Sequence, residues 1–153
     1  MAIRLSTGLR NGMLGTQTFK ELTTNGWLEI YTGSQPTSAD FTETAGATKL
    51  AVISTTSGKL AADGLDWGTA ASGVLPKSAD TWNGVVLATG VAGWFRWYGS
   101  DGTTGCHGTS GTAIRFDGNV GVSGADLNLS HTNLTINSTL TVTDFNVTQP
   151  AED

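Results

Sequence analysis

Short apolar runs of Val, Ile, Leu and aromatic residues alternate along this chain with clusters of Gly, Asn, Asp, Ser and Thr, the pattern of strands punctuated by tight turns. Residues 85–98 (VVLATGVAGWFRWY) bring two such runs together across a Gly-containing turn and predict a β-hairpin buried on at least one face. Within it Trp94, Arg96 and Tyr98 share one side of a strand and Phe95 and Trp97 the other. Residues 27–31 (WLEIY) alternate in the same way, with Trp27, Glu29 and Tyr31 opposed to Leu28 and Ile30, between Asn25-Gly26 and Gly33. Further strands are predicted at 50–54, at 60–67 with Asp63-Gly64 as a turn or bulge, and at 73–76. Residues 114–116 and 120–122 flank Asp117-Gly118-Asn119, which reads as a hairpin turn because Asp-Gly tolerates positive φ.

The last third has the cleanest two-residue periodicity. Leu127 and Leu129 fall in one phase, Leu134, Ile136, Leu140 and Val142 in the next, and Phe145 and Val147 in a third. The reversals fall at 130–133 and 143–144, where turns, bulges or corners reset the register. One short helix is predicted over 5–14, capped by Ser6 or Thr7, with Leu5, Leu9 and Met13 on one stripe. Residues 34–47 (SQPTSADFTETAGA) form a long polar connection that crosses between sheets or projects from the body.

These segments, about eight strands without βαβ alternation, predict an all-β fold, a two-sheet β-sandwich of jelly-roll type with a short N-terminal helix. A length of 153 residues with 21 Gly and 3 Pro suits one sandwich domain over 1–153, in which 1–20 form an N-terminal helix or arm and 149–153 a loose tail. The expected core comprises Trp27, Leu28, Ile30, Trp82, Trp94, Phe95, Trp97, Leu134, Ile136, Leu140 and Val142. No fixed-period repeat argues for a propeller, solenoid or fibre shaft.

Charge narrows the function. Charged residues make up 14% of the chain, against about 25% in an average soluble domain, so much of the surface is uncharged Thr, Ser, Asn and Gly. A net charge of −5 with scattered basic residues disfavours a grip on nucleic-acid phosphates. No stretch is long and apolar enough to span a membrane, and the opening residues lack a secretion signal. The Asn-x-Ser/Thr sequons at Asn128, Asn133, Asn137 and Asn146 therefore read as Asn and Thr abundance.

Catalytic chemistry finds little footing. Cys106 beside His107 in a Gly/Thr/Ser loop, and His131 in a turn, lack the partners of a zinc site or a nucleophile. Asp63, Asp66 and Asp80 lie near Trp67 and Trp82 in the sequence but belong to turn-like segments. The loop at 101–105 has oxygen ligands without the ordered acids of a calcium loop. No enzyme, metal or cofactor is expected.

The opening residues 5–14 (LSTGLRNGML), together with 30–36 (IYTGSQP) and 38–40 (SAD), resemble a group of small tailed-bacteriophage virion proteins. So do 67–73 (WGTAASG), 90–95 (GVAGWF) and 123–129 (SGADLNL). The resemblance covers most of the chain and rests on turns and strand edges. It implies a capsid decoration, or cement, protein on the exterior of the virion, present in the host cytoplasm during assembly, that binds the major capsid protein as a dimer or trimer. The docking residues expected are Leu5, Leu9, Arg10, Met13, Pro36 and Phe41. The alternative is a tail or fibre-tip module whose aromatic and Gly/Thr/Ser loops recognise a host glycan.

Overall fold

In the computed structural model, residues 3–41, 46–55, 64–99 and 113–149 are described. The chain is mostly β-strand, with two short helices and antiparallel sheets. Strand β1 (Arg4–Leu5) leads into α1 (Thr7–Leu14). The Ser6 hydroxyl accepts the Leu9 N–H (3.2 Å) and donates to the Ala113 carbonyl (2.7 Å), so one buried side chain both caps the helix and fixes it to the body. A second helix, α2 (Phe19–Thr23), starts with a capping box in which Thr18 accepts the Glu21 N–H and Glu21 accepts the Thr18 N–H.

Then follow β2 (Trp27–Thr32), β3 (Lys49–Ile53), β4 (Val74–Pro76), β5 (Trp82–Val85), β6 (Gly90–Tyr98) and β7 (Arg115–Gly121). The last strands are β8 (Leu127–Asn128), β9 (Asn133–Leu134), β10 (Thr139–Val142) and β11 (Asn146–Thr148). The main sheet runs β1-β7-β6-β2-β3, with β8 parallel to the end of β7 and β9 beside the start of β6. Strands β5 and β10 form one pair, β4 and β11 another. Single bridges Ser54↔Asn83 and Ala51↔Val86 join β5 to the outer side of β3.

Two expected hairpins are absent from this topology. The runs within 85–98 do not pair with each other: β5 lies between β3 and β10, while β6 pairs with β2 and β7. Asp117-Gly118-Asn119 is not a turn but the middle of β7. Gly118 lies opposite Phe95, and a Cβ there would sit 2.5 Å from the Phe95 ring. The glycine makes room for an aromatic ring across the sheet rather than supplying a turn. Residues 34–41 do not cross between sheets either, because β2 and β3 are neighbours in one sheet; the segment folds back as a strap over that sheet. Gln149 donates its N–H to the Gly73 carbonyl (2.8 Å), so the expected loose tail begins with a held residue, and 150–153 lie outside the described residues.

The apolar core lies on one face of the main sheet. Trp97 stacks on Trp67 (4.8 Å) and on Phe116 (5.6 Å), while Trp82 meets Trp67 edge-on, Phe95 meets Phe116 edge-on, and Phe145 stands edge-on to both Trp82 and Phe95. Both central indoles are satisfied by α2: Trp67 donates to the Thr23 hydroxyl (2.8 Å) and Trp97 to the Thr23 carbonyl (3.1 Å). Of the expected core, Leu28, Ile30, Trp82, Trp94, Phe95, Trp97, Leu134, Leu140 and Val142 are buried. Trp27 is half-buried, and Ile136 is 49% exposed. The phase of Ile136 is right for a strand, but it sits in the turn between β9 and β10, next to Asn137 at φ 67°, and points outward.

Candidate functional site

The opposite face of the main sheet is built from charge. Across β2, β6 and β7 the register sets Trp27 beside Tyr98 beside Arg115, Glu29 beside Arg96 beside Asp117, and Tyr31 beside Trp94 beside Asn119. Trp27 stacks on Tyr98 (5.3 Å) and Tyr31 on Trp94 (4.5 Å). Between these stacks Arg96 grips Asp117 through two parallel bonds of 2.6 and 2.7 Å, both side chains being fully buried. Burial works against the charge on Arg96, but the fork onto Asp117 more than restores it and raises the guanidinium above its ordinary value. The buried Glu29 carboxylate accepts from the Tyr31 hydroxyl (2.5 Å) and the Trp27 indole (3.2 Å), and pairs with Lys49 (2.9 Å). Burial first, then the Glu29 charge, pushes the Tyr31 phenol far above its ordinary value, so this hydroxyl is a hydrogen-bond donor at any ordinary pH.

Three arginines on neighbouring strands hold the strap down. Arg4 donates to the Pro36 carbonyl, Arg115 to that of Asp40 (2.8 Å) and Arg96 to that of Phe41 (2.8 Å). The strap is also joined to α1: the Asp40 carboxylate accepts the Thr7 N–H (2.8 Å) and the Thr7 hydroxyl (2.7 Å), and Arg10 donates to the same hydroxyl (2.9 Å). A carboxylate on the first turn of a helix favours both the orphan N–H groups and the macrodipole. Burial opposes the charge on Asp40, but the Thr7 bonds, with Arg115 and Arg10 nearby, outweigh it and hold the carboxyl below its ordinary value.

The structure thus brings the two predicted docking segments, 5–14 and 36–41, together, and it sorts their residues. Leu9 and Pro36 are buried, and Leu5 and Met13 are half-buried against the core. Leu5, Leu9 and Met13 lie on the stripe that the core takes, and Pro36 is covered where Arg4 holds its carbonyl. Arg10 and Phe41 face outward, Phe41 at 57% exposure, joined by Leu14 at 87%.

The other chemical candidates are placed as follows. Asp66 accepts the N–H of Asn25, 41 residues away in the chain, and Asp80 accepts the Ser78 hydroxyl within its own turn, while Trp67 and Trp82 are in the core. His131 is exposed beside Ser130. Cys106, His107, Asp63 and the loop at 101–105 lie outside the described residues. Among the described residues no three potential metal ligands gather, and no helix is long and apolar enough to cross a membrane. Comparison with family models, curated proteins and solved structures finds no match to the chain.

Proposed function

We propose that the protein is a virion structural protein of a tailed bacteriophage, a capsid decoration protein that binds the major capsid protein on the exterior of the shell and stabilises it. The observation that carries this reading is the union of strap and α1 into one braced unit: buried arginines fix the backbone from below, while Phe41, Arg10 and Leu14 face outward. Charge-assisted bonds of this kind contribute about 1.5–3 kcal/mol each, so the backbone beneath the exposed Phe41 is already held and loses little entropy on docking. Weak contacts repeated by shell symmetry add up to firm attachment. The finer architecture we infer is the jelly-roll sandwich, supported by Trp82 of β5 packing on Trp97 of the main sheet. In this reading the chain works without catalysis, metal, cofactor, nucleic acid or membrane. The alternative, a glycan-binding tail or fibre tip, calls for open aromatic platforms, whereas Trp94, Trp97 and Tyr98 are buried.

The test is binding to capsids assembled without the protein. Phe41→Ala combined with Leu14→Ser changes two exposed side chains and leaves the strap carbonyls in place. The expected outcome is an unchanged melting temperature with capsid affinity reduced on the order of tenfold or more, as for the loss of an interface anchor. Full affinity in the folded double variant would contradict the docking assignment.

A further inference from the structure

Strand β10 lies at the margin of its sheet, and its free side can be derived from its neighbour. Asn83 of β5 gives both its backbone groups to Ser54 on the β3 side (2.9 and 3.0 Å). Antiparallel pairing alternates direction residue by residue. The groups of β5 that reach β10 therefore belong to Trp82 and Gly84, opposite Val142 and Leu140; Val86 continues the series with Ser138 and Asn137 (2.9 Å each). Thr139 and Thr141 then point N–H and C=O away from β5, and no described residue meets them there. Their side chains are exposed, while Leu140 and Val142 are in the core.

Among the described residues this edge lacks the usual protection. Natural edge strands carry Lys, Pro or inward charges that discourage pairing, yet no Lys, Arg, Asp, Glu or Pro occurs from residue 127 to residue 143. Exposed aliphatics lie beside it: Val85, which pairs with Thr139, is 41% exposed, and Leu87 and Ile136 are 53% and 49% exposed.

We infer that β10 pairs antiparallel with β10 of a second copy about a two-fold axis at Leu140. A two-fold contact sets every residue of the edge against the same stretch of chain, so any charge on it would face its own sign. An uncharged edge on a chain of net charge −5 fits a second copy for that reason. In this register Thr139 faces Thr141 of the second copy, and about four backbone hydrogen bonds form. The nearest acids at the edge, the two Asp144 residues, stand eight positions apart along the ladder. At about 3.4 Å per residue that is about 27 Å, well beyond the screening length of about 8 Å at physiological salt. The inference does not rest on the virion reading, because the contact forms in the isolated protein.

Sedimentation of the purified chain over a concentration series tests it. Thr141→Pro deletes an outward N–H without touching the β5 ladder, and Thr139→Lys with Thr141→Lys sets like charges face to face across the axis. The expected result is a concentration-dependent dimer for the natural chain and, in both variants, a folded monomer with dissociation constant raised on the order of tenfold or more, melting where the natural chain melts when diluted to its monomer. Should the proline variant fail to fold, the lysine pair, which alters only exposed side chains, decides alone. A monomer at hundreds of micromolar, a species of three or more copies, or a dimer persisting in the folded variants would overturn the inference.

Discussion

Asp117 is the residue on which the buried charge depends. Its carboxylate takes both bonds of the Arg96 fork in a site with no water access, and removing one partner of such a pair strands the other. Asp117→Asn is therefore expected to cost about 3–5 kcal/mol, read by denaturant unfolding. Arg96→Met with Asp117→Leu should recover part of that loss, since the two charges leave together, the remainder being the Arg96 bond to the Phe41 carbonyl and the Asp117 charge near the buried Arg115. A single variant as stable as the natural chain would contradict the assignment of a buried ion pair. The sequence carried a trace of this arrangement: 27–31 reads Trp-x-Glu-x-Tyr and 94–98 reads Trp-x-Arg-x-Tyr. Paired antiparallel, the two segments match Trp with Tyr twice and Glu with Arg. Alternation alone showed which residues share a face, but only the pairing of the strands showed that both faces are buried.

At the scale of elements, the strap and α1 are legible in part. The helix cap at Ser6 and the stripe through Leu9 follow from local spacing, whereas α2 was not expected, although Thr18-x-x-Glu21 spells its capping box. That Asp40 would close on Thr7, 33 residues away, lies in no local pattern. The pairing of strands was equally hidden: β5 and β6 read as one hairpin because they are close in sequence, and the structure sends them to different neighbours. The link at Asp40 has a pH signature. Its pKa is lowered in the folded state, so the stability it contributes is fully present above the unfolded value of about 3.9 and lost as pH falls through the lowered folded value. Asp40→Asn should destabilise by about 1 kcal/mol near pH 7, in the range of a lost helix cap. The gap from the natural chain should narrow well below the ordinary carboxylate range, as the Asp40 carboxyl takes up its proton in the folded state. Urea unfolding at neutral and at falling pH checks this, and a gap independent of pH would contradict the role given to the carboxylate.

Over the whole molecule, one sheet is covered on both sides by different means: aromatic rings on one face, arginines and a strap on the other. The all-β class follows from the turn-punctuated pattern, and nine of the eleven expected core residues are buried. The layer arrangement does not follow, because single bridges such as Ser54↔Asn83 decide which short strands continue a sheet. In the proposed reading, the braced strap and the uncharged edge serve assembly in two directions, toward a shell and toward a second copy. The most direct test of the decoration reading is the number of copies per virion, by quantitative mass spectrometry of purified particles against the major capsid protein. The account predicts a count in the hundreds, comparable to the shell subunits; a handful of copies per particle would contradict it and assign the protein to the tail.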